Sequence, residues 1–113
     1  MTMLIEQGDI IEADFDPTKG HEPSKRRPAL VMSVGHFNNV LSSLTVVCPI
    51  TSVDNGHPLH VPIASGNSAF GFICIEQLRA IDLLERNCTK LDGKLDEDTM
   101  AAALEATGAV FGI

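Results

Sequence analysis

Apolar residues in this chain come in short runs, each cut off by turn residues, and only the last stretch changes to a helical period. That pattern constrains the fold to many short strands and a single terminal helix. Ile11, Ala13 and Phe15 alternate with Glu12, Asp14 and Asp16, which reads as a half-buried strand beginning near Gly8. Ala29 to Val34 reads as an interior strand, and His36-Phe37-Asn38-Asn39 as a turn or short helix. Leu44 to Ile50, rich in β-branched residues, is a third strand. Asn55-Gly56 is a strong turn signal. Leu59 to Ile63 is a short strand in which Pro62 suggests an edge or a bulge. Phe70 to Ile75 is a buried strand, continued past a bend through Ile81, and Cys88 to Leu91 adds one more. Asp96-Glu97-Asp98 then supplies acids at a helix start. Met100, Ala103, Leu104, Thr107, Val110 and Phe111 follow as an apolar stripe. A mainly β fold is expected, a small and partly open barrel followed by one C-terminal helix, forming one domain over residues 1–113.

Composition fits a folded core: 44% of residues are hydrophobic and 20% charged. There is no Trp or Tyr and there are five Phe, so that core must be mostly aliphatic. The start, Met1 to Glu6, has no basic region ahead of an apolar one, and no segment reaches membrane-spanning length; a cytoplasmic location is expected. Cys48, Cys74 and Cys88 form no C-x-x-C spacing and read as buried thiols. The net charge of −7 opposes nucleic-acid binding in bulk, but four of the eight Lys and Arg residues fall in one stretch, Lys19, Lys25, Arg26 and Arg27.

That stretch, within the 16–27 loop, carries the densest chemistry. Arg27 enters a strand with its backbone restricted by Pro28, and a guanidinium at a strand base can grip two phosphate oxygens. Glu22, five residues earlier, could accept a proton, although spacing alone favours a surface ion pair with Lys25 or Arg26. Thr51 follows the apolar strand ending at Ile50 and could donate to a phosphoryl oxygen, although taken alone it fits the start of a turn better. His57 and His60 could act as an acid–base pair, but structural or exposed histidines fit their spacing better. No third ligand stands at a metal-like spacing, so no metal and no cofactor is expected. Walker, dinucleotide and nucleophile-elbow motifs are absent.

The order of these pieces is more specific than any one of them. Gly8-Asp9-Ile10-Ile11, Asp14 to Glu22 and Arg27-Pro28-Ala29-Leu30-Val31 together resemble the N-terminal signature of MazF/PemK toxins. Pro49-Ile50-Thr51-Ser52 is similar to that family's third-strand motif, and Glu76 to Asp82 to a later one. The resemblance spans Gly8 to Gly112 and implies an SH3-like or CcdB-like barrel with a C-terminal helix, acting as a homodimer. It implies a type II toxin, a sequence-specific endoribonuclease that cuts single-stranded RNA without a metal and is neutralised by a MazE/PemI-like antitoxin. By position, Arg27 matches the catalytic Arg, Glu22 the loop carboxylate and Thr51 the phosphate-contacting Thr. Lys19, His21, Lys25, Arg26 and Gln77 are expected to bind RNA, with Phe37 available for stacking.

Two other readings remain. CcdB-type gyrase poisons share the barrel, and the ending Phe111-Gly112-Ile113 is similar to theirs. The simpler account of that ending is a helix terminus closed by Gly112 and packed through Phe111 and Ile113. A non-catalytic binding module on the same fold is the third reading.

Overall fold

A computed structural model describes residues 4–15, 26–40 and 43–113. Its strands are β1 (Asp9–Asp14), β2 (Arg26–Val31), β3 (Leu44–Thr51), β4 (His60–Pro62), β5 (Phe72–Cys74), β6 (Arg79–Asp82) and β7 (Thr89–Lys94). The helices are α1 (Gly35–Val40) and α2 (Glu97–Val110), and a single 3-10 turn spans Ile75–Gln77. The strands join in one sheet of order β4-β5-β3-β2-β1-β7, with β6 also pairing β3. β3 holds β6 along Leu44–Val47 and β5 along Ile50–Thr51, so the sheet bends where its partner changes. The terminal strands β4 and β7 do not pair with each other among the described residues, which gives the expected partly open barrel. β4 is an edge strand, as Pro62 requires.

Both faces of the sheet are covered. Ile10, Leu30, Cys48, Ile50 and Ile73 pack on one face, closed by Leu95 and Ala103. Ile11, Ala13, Ala29, Val31 and Val47 pack on the other, closed by Ile5, Phe15 and Leu83. The polarity of the 9–14 strand follows from this: its apolar residues of both parities are buried.

Three expectations need adjustment. β2 begins at Arg26 rather than Ala29, because cross-strand pairs with Asp14 and Ala13 extend it backwards. In α2 the inward residues are Thr99 and Ala103, with Met100 and Ala106 against the core. Leu104, Val110 and Phe111 stay exposed, because the helix approaches the sheet through its small Ala103. Phe111 and Ile113 are therefore not packed; they are 64% and 98% exposed, although Gly112, at φ +75°, closes the helix as expected. No helix among the described residues is long and apolar enough to cross a membrane.

Candidate active site

Strand register brings Arg27 and Thr51 together. β2 and β3 pair antiparallel through Ala29–Pro49 and Val31–Val47. Continuing that register by two residues sets Thr51 across from Arg27, with both side chains on one face of the sheet. The neighbouring row, Glu12–Pro28–Ile50, presents to the opposite face. A cleft of about 530 Å³ opens where the two rows end; Glu12, Arg27, Pro28, Thr51, Ser68 and Phe70 all line it.

Among the described residues, Arg27 is singled out by what it does not bind. Arg26 donates to Asn87 O at 2.9 Å, Glu12 O at 3.2 Å, Thr89 Oγ1 at 3.2 Å and Asp14 Oδ1 at 3.2 Å. Arg86 donates to Phe15 O, Lys90 lies 3.7 Å from Asp9, Lys94 pairs with Glu6, and Arg79 sits over the Phe15 ring. Arg27 has no such hydrogen bond, ion pair or ring contact among those residues. A half-buried guanidinium with no anion on it among the described residues is available to a ligand anion.

The expected RNA-binding role of Arg26 meets a different placement. Its side chain shares the register position of Asp14, on the face away from Arg27, and it ties β1 to the turn before β7. Gln77 is exposed in the 3-10 turn and does not line the cleft. Phe37 is half-buried in α1 and also lies outside the cleft lining. Lys19, His21, Glu22 and Lys25 lie outside the described residues.

The cleft's second wall was not legible in the sequence. Its loop is fixed by Asn67, which donates to Ala64 O at 2.7 Å and to Asp96 Oδ1 at 2.9 Å, and accepts from Asp96 N at 2.9 Å. Asp96 is itself the N-cap of α2, accepting from Thr99 N at 2.9 Å. Gly71, at φ +118°, runs so close to β3 that a Cβ there would stand 2.2 Å from Thr51 O. These two anchors hold Phe70 beside the cleft, 79% exposed, with Val53 65% exposed across from it. Glu12 is the remaining surprise: alternation reads it as a solvent-facing residue, yet it is a half-buried cleft carboxylate. It has no hydrogen bond or ion pair through its side chain among the described residues.

Cys74 adjoins the Arg27–Thr51 pair. Burial pushes its thiol up and the charge of Glu76 adds to this, outweighing Arg27 and the Thr51 N–H. His57, His60 and Glu76 also gather, with ligand atoms within 4.8 Å of one another. Their present contacts are protein-internal: His60 Nε2 lies 2.9 Å from Glu76 Oε2, and His57 Nδ1 accepts from Leu59 N at 3.1 Å. The two rings stack with 5.0 Å between their centroids and 19° between their planes. Burial raises the Glu76 carboxyl, but the His60 hydrogen bond and the nearby charges together hold it below its usual range.

Residues 6–111 match the family of PemK-like, MazF-like toxins of type II toxin–antitoxin systems. The chain belongs to this family. Its relatives include the endoribonuclease toxin MazF of Escherichia coli K12, 36% identical over 85 residues, 75% of each chain. The endoribonuclease toxin ChpB of the same strain is 34% identical over 114 residues, covering 94% of each chain. The fold agrees with MazF in a MazE–MazF crystal structure from Deinococcus radiodurans. There the TM-score is 0.88 at 28% identity, and 99% of both chains is covered. The family's barrel-and-helix fold is thus the one expected from the strand pattern.

Proposed function

We propose that the protein is a metal-independent endoribonuclease toxin that cuts single-stranded RNA in the cytoplasm and so halts translation. The observation that carries this reading is Arg27, unpaired among the described residues, standing across from Thr51 at the edge of a nucleotide-sized cleft. The relatives named as endoribonucleases support it.

The ribose 2′-hydroxyl attacks the adjacent phosphorus; its proton goes to a base, the new 2′-O–P bond forms and the P–O5′ bond breaks. The leaving 5′-oxygen takes a proton, giving a cyclic phosphate and a free 5′-hydroxyl. Arg27 stabilises the charge that builds on the phosphorane, where a preorganised cation contributes most. Thr51 holds a nonbridging oxygen. Glu22 or His21 assists proton transfer, and Lys19 and Lys25 support the RNA path. The working unit is a homodimer, restrained by a MazE/PemI-like antitoxin; MazE–MazF complexes of the Deinococcus relative support that partner.

The test is cleavage of a long single-stranded RNA in EDTA by wild type and Arg27→Ala, with product ends mapped. Cuts at one short motif, ending in cyclic phosphates and lost in the variant, are expected. The exposed Phe111-Gly112-Ile113 ending is the feature a gyrase poison would use. RNA cleavage that survives deletion of those residues, without inhibition of gyrase supercoiling, excludes that alternative. An absence of RNA cleavage by folded protein overturns the ribonuclease reading.

A further inference from the structure

A carboxylate is an unwelcome neighbour for phosphate, yet Glu12 lines the same cleft as Arg27. The register explains how both fit one ligand. Arg27 and Thr51 end a row on one face, while Glu12, Pro28 and Ile50 end the next row on the other. A nucleotide is bipolar in the same way, with an anionic phosphate at one end and a hydrogen-bonding base edge at the other. The walls on the Glu12 side suit a base plane: Pro28, Ile50, Leu91 and Ala69 are apolar, and Phe70 stands exposed at the lip. An ionised carboxylate only accepts hydrogen bonds, and it accepts best from two parallel N–H groups. Among RNA bases, guanine alone offers such a pair on its Watson–Crick edge, from N1–H and N2–H. Uracil offers one donor there, N3–H, flanked by two carbonyl oxygens that a carboxylate repels.

We propose that this cleft is a guanine subsite, in which Glu12 accepts from the guanine N1–H and N2–H while Phe70 covers the base. The proposal rests on the ribonuclease reading, and it assigns Glu12 a specificity role rather than a catalytic one. An acidic partner peptide is disfavoured in the cleft by the same carboxylate, which would face its acids rather than N–H donors.

The experiment has two arms on the full chain. In the first, cleavage sites of wild type, Glu12→Gln and Glu12→Leu are mapped on a long RNA of mixed sequence, after thermal melts show that the variants fold. Wild type is expected to require guanine at one fixed position from the cut, favouring it about tenfold to a hundredfold over uracil. Glu12→Leu is expected to lose that preference while still cutting. An identical motif in wild type and Glu12→Leu, or a wild-type motif without guanine, overturns the proposal. In the second arm, guanosine and uridine 5′-monophosphates are titrated against the same proteins. Selective guanosine binding that is lost in Glu12→Leu supports the subsite even if no RNA is cut, which separates its fate from that of the ribonuclease reading. Equal binding of both nucleotides, or a Glu12→Leu effect confined to an antitoxin peptide, overturns it.

Discussion

Replacing Arg26 and Arg27 one at a time separates a side chain that holds the fold from one with no partner among the described residues. The two are sequence neighbours on one strand, so their side chains leave opposite faces of β2. Arg26 makes four hydrogen bonds that join β1, β2 and the turn before β7, two of them to main-chain carbonyls. At about 1 kcal/mol net each, these would sum to about 4 kcal/mol. The side chain is 36% exposed, so water recovers part of that and the exposed pair with Asp14 adds little. A loss of about 2 kcal/mol is expected for Arg26→Ala, which lowers Tm by about 8 °C in a domain of this size. Arg27→Ala removes none of these contacts, and its stability should stay within about 0.5 kcal/mol of wild type. Its cleavage rate should fall by about a hundredfold to a thousandfold, the usual cost of losing one preorganised charge-stabilising donor. Paired urea melts and initial rates on one RNA check both. Equal destabilisation by the two changes would refute the reasoning, as would a fold-neutral Arg26→Ala that abolishes cleavage.

Gly71→Ala should destabilise by about 2–3 kcal/mol in a urea melt, because a Cβ meets Thr51 O and φ +118° suits no other residue; cleavage should fall with it, since Phe70 and Thr51 shift together. Hydrogen bonds from Thr99, first through its side chain and then its N–H, and from Asn67 hold the Asp96 carboxyl below its usual 3.8. Its stabilisation is therefore complete above about pH 4 and is lost as pH falls through the depressed value. Melts from pH 5 to pH 2 should show a shallower acid loss for Asp96→Asn than for wild type. Burial pushes Cys48 up to about 12 and Cys88 to about 11. Both should resist a thiol reagent at pH 8 in the native protein and react in urea.

Local pattern carried the strands well, because alternation and β-branching act over a few residues. The third strand, expected at Leu44–Ile50, runs from Leu44 to Thr51, and the bend before Ile81 is the 3-10 turn at Ile75–Gln77. The placing of Arg27 and Thr51 on one cleft could be anticipated only through family resemblance, since register depends on contacts between segments far apart in the chain. Glu12 was hidden because alternation reports which face a side chain takes, not whether a distant loop covers that face. Phe70 was hidden for the same reason: its position comes from Asn67 and Gly71, whose partners are Asp96 and Thr51. The α2 stripe misled because periodicity marks apolar residues without saying which of them the sheet leaves room for.

Asn67 bonds the first residue of the helix cap and the loop that walls the cleft at the same time. Fraying of the first turn of α2 and displacement of Ser68 to Phe70 are consequently one event rather than two. A molecule seated in the cleft must then slow hydrogen exchange at Thr99 and Met100, whose amides bond to Asp96 and make no contact with the cleft. By reciprocity, a binder on the far side of that helix that prefers its capped form tightens the cleft by the same factor.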